Sequence, residues 1–359
     1  MEAPRPDVFQ PVWLERALRD YRVCLLDQRG TGLSSPVLAQ TLARLGNPAA
    51  QADFLRQFRA DSIVRDCEVV RQELAGDERW SVLGQSYGGF CVCTYLSLAP
   101  GGLNAAIVTG GLPSLGRGPD DVYRATYRRV IDRNRRYYKR YPEDVERVRR
   151  IVDHLLGRDG PAAARRFLQA GMQFGASDGF ERVHYLVERA FVEGPRGPEL
   201  GLPFLRALEQ TLPFEETPIY AVLHEAIYCQ GEASRWSAAR MLAELPEFEL
   251  DADPPLFTGE MVYPWMFEEY EHLRPLRDAA ELLAEMDDWP PLYDPAALAR
   301  NEVPVAASIY ANDMYVERAF SEEAAAAIRG LRAWASEEYE HDALRRHGDI
   351  VLDKLLALL

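Results

Sequence analysis

The stretch Trp80-Ser-Val-Leu-Gly-Gln-Ser86-Tyr-Gly-Gly89 constrains this chain more than any other. A short apolar run ends in Gly84, Ser86 stands between Gly84 and Gly88, and the apolar, helix-compatible segment 90–98 follows. That is G-x-S-x-G where a strand turns sharply into a helix. Such a turn holds its serine in a strained backbone conformation, so the neighbouring positions must be small, and Gly84, Gly88 and Gly89 are. The hydroxyl is then presented at the carboxyl end of a sheet, and the backbone N–H of Tyr87 can face an oxyanion. An ordinary Gly/Ser turn can match the same five positions by chance. The strand before and the helix after favour the nucleophile.

The rest of the chain is read around that turn. Residues 1–20 form a Pro-rich lead and a short amphipathic helix. Tyr21 to Leu26 is a β-like run ending in the polar, Gly-rich loop Asp27-Gln-Arg-Gly-Thr-Gly-Leu-Ser34. Gly30-Thr-Gly32 matches neither phosphate-loop pattern. Residues 59–75 repeat apolar side chains at helical spacing, with Asp61 as the expected N-terminal cap. After the elbow, Asn104 to Thr109 is another short strand, closed by Gly110-Gly111. Strands alternating with helices imply a parallel sheet. From 116 to 295 the periodicity is mostly helical, and sheet-like sequence returns at Val303–Tyr310 and Leu331–Ala335. The expected organisation is an α/β core in two parts, 1–115 and 296–359, with a helical insertion over 116–295.

At 359 residues the chain exceeds one ordinary core, as an insertion requires. Its formal charge of −15 argues against nucleic acid, which needs clustered Lys/Arg. The one basic run interleaved with tyrosines, Arg133-Asn-Arg-Arg-Tyr-Tyr-Lys-Arg140, is flanked by acids and reads as a solvated helix face. No run of about 18 apolar residues exists, so no membrane span is expected. Five scattered cysteines and no signal segment predict reduced thiols in a cytoplasmic protein. Cys91 and Cys93 read as helix packing, not as a metal pair.

A nucleophilic serine needs a base and a carboxylate to orient it. Asp313 follows one late strand and His341 the next. The order Ser86, Asp313, His341 is that of α/β-hydrolases. Asp313 could alternatively be a helix-capping residue. Four of the six histidines, His154, His184, His224 and His272, precede Asp313 and are disfavoured as the base. His347 is the rival to His341, but it lies within the terminal helical pattern and should face solvent. His224-Glu225 lacks the second histidine of a zinc helix, since position 228 is Tyr. Glu225 and Glu260 sit among aromatic and aliphatic residues, where a carboxylate needs a partner. That partner is either internal, such as Arg235 or Arg240, or a cationic group on a substrate.

With these residues in view, the chain resembles the proline iminopeptidase (prolyl aminopeptidase) family of serine α/β-hydrolases. Asp27-Gln-Arg-Gly-Thr-Gly-Leu-Ser34, Gly84-Gln-Ser-Tyr-Gly-Gly89 and the placements of Asp313 and His341 carry the resemblance. His224-Glu-Ala-Ile-Tyr228 and Phe257-Thr-Gly-Glu-Met261 look like cap segments of one branch. The resemblance implies a helical cap over the serine, inserted before the last two strands. It also implies cap glutamates that bind the free α-amino group of a peptide, a role carried onto Glu225 first and Glu260 second. No cofactor and no metal are implied.

One departure stands out. Members of the family have a His-Gly-Gly-Pro-Gly-like loop after an earlier strand, which supplies a second oxyanion donor, and no such loop is present in this sequence. The expectation is a shortened N-terminus, an uncovered sheet edge beside Tyr21–Leu26, weak turnover and poor solubility, unless a backbone amide near Gly30–Gly32 substitutes. The expected activity is release of an N-terminal residue, proline, by Ser86, His341 and Asp313, with the Tyr87 amide as oxyanion donor. The alternatives are a general esterase or amidase, which would ignore the substrate amine, and a catalytically impaired binding protein.

Overall fold

Four of the expected apolar runs pair into one sheet. In the computed structural model, which describes residues 11–195, 197–212 and 214–359, the chain carries β1 (Trp80–Gln85), β2 (Leu103–Thr109), β3 (Phe191–Gly194), β4 (Gly197–Leu200), β5 (Val305–Tyr310) and β6 (Leu331–Ser336). The main sheet is parallel throughout, in the order β1-β2-β5-β6. Its register brings Gln85 beside Thr109, Thr109 beside Ser308, and Tyr310 beside Ser336. All four carboxyl ends therefore open onto one edge, where sites of α/β sheets collect. The inner strands β2 and β5 are almost wholly buried and β1 is half-buried, whereas the edge strand β6 has three of its six residues exposed. The inner pair has the burial of parallel strands covered on both faces.

Side-chain alternation sorts the strands between two cores. Ala106, Val108, Val305, Ala307 and Ile309 pack with Val64 of the helix Ala60–Ala75 and with Val92, Cys93 and Leu96 of the helix Tyr87–Leu98. Ile107 and Ala306 face the other way, onto Val351, Leu352 and Leu355 of the terminal helix Gly348–Leu356. The helix Val12–Ala17 packs on that terminal helix. Asp61 is not the cap of its helix: Arg59 holds that position, and Asp61 lies in the first turn, 3.1 Å from Arg65. An acid there still favours the positive end of the helix dipole.

The run Tyr21–Leu26 departs from expectation. It forms no strand, and Tyr21 and Leu26 are 42% and 37% exposed. Alternating apolar residues favour an extended backbone, but a strand also needs a neighbour to take its N–H and C=O groups. No described segment forms a ladder with this one, so the described sheet has β1, and not 21–26, at its edge.

Residues 119–299 are mainly helical, and those up to Trp289 are gathered around one large aromatic cluster, which also takes in Val37, Leu42, Ala52, Leu55 and Phe58, while Leu292, Tyr293 and Leu298 join the sheet core. The antiparallel β3–β4 hairpin in this region was not expected. Its four-residue strands are too short to impose a visible alternation among helices. The basic run 133–140 is split by helical periodicity. Arg133, Asn134, Tyr137 and Tyr138 are buried, whereas Arg135, Arg136, Lys139 and Arg140 are exposed. Only half of it is the solvated face read from sequence.

Candidate active site

The elbow has the strained geometry that its glycines imply. Ser86 sits at φ 55°, between β1 and the helix that starts at Tyr87. A methyl group at Gly84 would lie 2.2 Å from the Gly88 carbonyl oxygen, so only hydrogen fits there. The Ser86 hydroxyl does not cap the helix. The Tyr87 N–H, at the first helical position, lacks an intrahelical acceptor and adds to the positive end of the helix. Behind the serine, its N–H donates to the Thr109 oxygen at 3.0 Å.

Gly110-Gly111, at the end of β2, lies against both the serine and the histidine. A β-carbon on Gly111 would meet the Ser86 carbonyl oxygen at 2.2 Å, and one on Gly110 would meet His341 Nδ1 at 3.3 Å. The two residues thus line adjacent positions of one backbone turn. The loop after β5 supplies Asp313, which is buried. Its Oδ1 accepts from the Tyr315 and Val316 N–H groups at 2.9 and 3.1 Å. Its Oδ2 is 2.6 Å from His341 Nδ1. That contact directs the other ring nitrogen, Nε2, away from Asp313. Burial alone would push the His341 pKa down, but the adjacent Asp313 carboxylate, with a lesser pull from Glu260, raises it above its ordinary value of 6.5. The Tyr315 ring stands edge-on to the imidazole, 4.7 Å between centroids.

The two glutamates differ. Glu225 is buried, and both oxygens are occupied: Oε2 accepts from the Ser237 N–H at 3.0 Å and Oε1 from the Ala238 N–H at 2.8 Å. It caps the short helix Ser237–Leu242 from 12 positions earlier in the chain. Glu260 is only partly buried and accepts one hydrogen bond, from the Tyr220 hydroxyl at 2.9 Å. Burial lifts its pKa to about 7, against a downward pull from His341 and Tyr220 and an upward push from Asp313. Glu260 is therefore within electrostatic reach of the Asp313–His341 pair. Tyr123, Tyr220, Tyr228 and Tyr315 all feel its charge. A chain of ring contacts, Tyr87–Phe90–Tyr228–Tyr123, runs from the elbow to this enclosure at centroid spacings of 6.1, 6.0 and 5.9 Å. Of these tyrosines, Tyr228 is marked in the sequence, within the cap segment His224–Tyr228; Tyr123 and Tyr220 carry no local signal, because aromatic residues are frequent throughout the insertion.

Other sequence candidates fall outside this group. His347 is exposed and lies against the Tyr339 ring. His224 is buried beside Tyr220, and burial pushes its pKa down to about 4. Glu143, Asp144 and His184 come close enough to hold a metal ion. Asp144 is already engaged by the Tyr137 hydroxyl, Arg147 and His184 Nδ1, at 2.5, 2.8 and 2.9 Å. The Gly30–Gly32 loop turns inward: the Gly30 and Thr31 N–H groups donate to the Ser34 and Gln28 carbonyls. Those two amides are spent within their own turn and are not free as oxyanion donors.

Known proteins match this architecture. The alpha/beta hydrolase fold family matches residues 7–153. A proline iminopeptidase of Aeromonas sobria is 48% identical over 363 residues, covering 99% of this chain and 84% of that protein. A proline iminopeptidase of Aspergillus aculeatus is 38% identical, covering 96% of this chain and 80% of that one. The crystal structure of a proline iminopeptidase from Mycobacterium smegmatis aligns with TM-score 0.43 at 15% identity, over 93% of this chain and 78% of that one. Sequence identity of this depth over nearly the whole chain shows that it belongs to the proline iminopeptidase family of α/β-hydrolases.

Proposed function

We propose that this serine hydrolase releases an N-terminal proline from small peptides through an acyl-enzyme, beneath a cap formed by residues 116–295. His341 Nε2 takes the proton of Ser86 Oγ as the oxygen attacks the carbonyl carbon of the N-terminal residue. Asp313 holds the imidazole by Nδ1 and stabilises the imidazolium. The Tyr87 N–H meets the oxyanion. His341 then gives its proton to the departing amine, and water hydrolyses the acyl-enzyme by the same proton route. Glu260 takes the free α-amino group, and the ring of tyrosines encloses the pyrrolidine. Glu225 serves this site indirectly, by capping the helix Ser237–Leu242; the order of the two glutamates is thus the reverse of the sequence expectation.

The observation that carries this reading is Glu260: a carboxylate with one hydrogen-bond donor among the described residues, in an aromatic enclosure, within electrostatic reach of the Asp313–His341 pair. Burying a charge so sparsely satisfied is costly, and an incoming ammonium offsets that cost. We also propose a reducing, cytoplasmic setting, consistent with the free cysteines, among which Cys93 and Cys229 are buried. The test is a panel of proline anilide, N-acetylated proline anilide and a short acyl ester. The expected result is turnover of the free-amine anilide far above its acetylated form. Equal turnover of the two anilides would reject the aminopeptidase reading in favour of a general esterase or amidase.

A further inference from the structure

We infer that Arg133, in the long helix Pro119–Arg140, is a positioning residue for the Asp313–His341 pair. Its guanidinium ties the residue before the acid to the residue before the base. Nη2 donates to the Asn312 carbonyl at 2.8 Å, and the same nitrogen contacts Glu340 Oε2. Nη1 donates to Glu340 Oε1 at 3.0 Å. Arg133 is 5% exposed, so its guanidinium is held away from solvent, while the Glu340 carboxylate is partly exposed.

The need for such a tie follows from the sheet. Asp313 and His341 leave different strands, β5 and β6, and lie beyond the last ladder pair, Tyr310 with Ser336. Past the Ala311 N–H, which donates to the Ser336 carbonyl at 2.8 Å, no backbone hydrogen bond among the described residues links one loop to the other, yet the Asp313–His341 contact must stay near 2.6 Å. A planar fork that binds a carbonyl and a carboxylate together restricts both loops at once. One turn earlier, Arg129 chelates Glu317 at 2.7 and 2.7 Å and also reaches the Ala311 carbonyl. The two arginines are spaced four apart and share one helix face. On the other side of His341, Asp342 accepts from the Ser177 N–H and hydroxyl at 3.0 and 2.9 Å. The base is thus flanked by two anchors in the helical region, and Arg133 alone among them also holds the acid's loop.

This inference rests on the triad of the proposed function but not on the identity of its substrate. It is tested on the full chain with Arg133→Met, Arg133→Lys and Glu340→Gln. The readouts are the rate at which Ser86 displaces fluoride from a fluorophosphonate probe, proline anilide kinetics, the pH profile and the melting temperature. The expected result for Arg133→Met is a fall of about 10–100-fold in both the phosphonylation rate and kcat, with KM within about twofold of wild type. The acid limb should move to lower pH, because a loosened Asp313 no longer raises the pKa of His341. Arg133→Lys should recover little, since a point charge cannot hold both partners. A folded Arg133→Met enzyme with wild-type phosphonylation rate and acid limb would overturn the inference, whatever its melting temperature. So would a change confined to KM. If Arg133→Met does not fold, Glu340→Gln decides: a lowered acid limb supports the inference and an unmoved one refutes it. Should wild type react with the probe but ignore proline anilide, the aminopeptidase reading fails while the probe comparison still judges Arg133.

Discussion

Replacing Glu260 by Gln is the sharpest perturbation of this site, because it removes one charge and leaves the shape intact. With a pKa of about 7, Glu260 is about half ionised at neutral pH, so readying it to meet an ammonium costs only about 0.4 kcal/mol there. The desolvated ion pair that then forms is worth about 2–5 kcal/mol when one partner is truncated. The expected loss in kcat/KM for proline anilide is therefore about 30- to 5,000-fold. A short acyl ester, which carries no amine, should be nearly unaffected. The pH profile gives a second readout. Below pH 6 wild type must deprotonate both His341 and Glu260 to process the free-amine substrate, so its acid limb should be steeper than that for the ester. In Glu260→Gln the two limbs should share the shallower slope. Stability should shift as well. The raised pKa means that the folded state holds this proton more tightly than the unfolded chain does. Its stabilisation is complete below about pH 4.5 and is lost as pH rises through about 7. Glu260→Gln should thus melt higher than wild type at pH 8. Equal losses on anilide and ester, or an acid limb for the anilide as shallow as that for the ester in wild type, would refute the amine-binding role.

Ser86→Ala and His341→Ala should each abolish nearly all turnover, with the double variant little worse, while His347→Ala stays near wild type; a silent His341→Ala would move the base elsewhere. Glu225→Gln should destabilise by about 1–3 kcal/mol in chemical denaturation, because its amide nitrogen must face the Ser237 or Ala238 N–H. The anilide-to-ester ratio of the folded enzyme should not change, and selective loss of the anilide would return the amine-binding role to Glu225. Gly111→Ala places a β-carbon 2.2 Å from the Ser86 carbonyl oxygen, so the elbow backbone must move. Phosphonylation of Ser86 should fall about 100-fold or more, and a wild-type rate would show that this backbone is not fixed as described.

The elbow was legible in the sequence because its requirement is local. Gly84 and Gly89 leave no room for a β-carbon, although Gly88 would tolerate one, and the apolar runs on either side fix strand and helix by their own periodicity. The order Ser86, Asp313, His341 was equally plain, since each follows a recognisable strand. Tyr21–Leu26 shows the limit of such reasoning: its pattern permits a strand, but pairing depends on a neighbour that local sequence does not specify. The two glutamates show it more clearly. Both lie among aromatic residues in the sequence, and their hydrogen-bond surroundings separate only in three dimensions. The Ser237 and Ala238 N–H groups take both oxygens of Glu225, while the Tyr220 hydroxyl takes one oxygen of Glu260, whose carboxylate lies within electrostatic reach of the dyad. Arg133 read as part of a solvated basic face, yet it is buried against Glu340, 207 positions away. Local sterics and periodicity are written in neighbouring residues; the charge state, partner and orientation of a buried polar group depend on which distant segments desolvate it, and only the tertiary structure decides that.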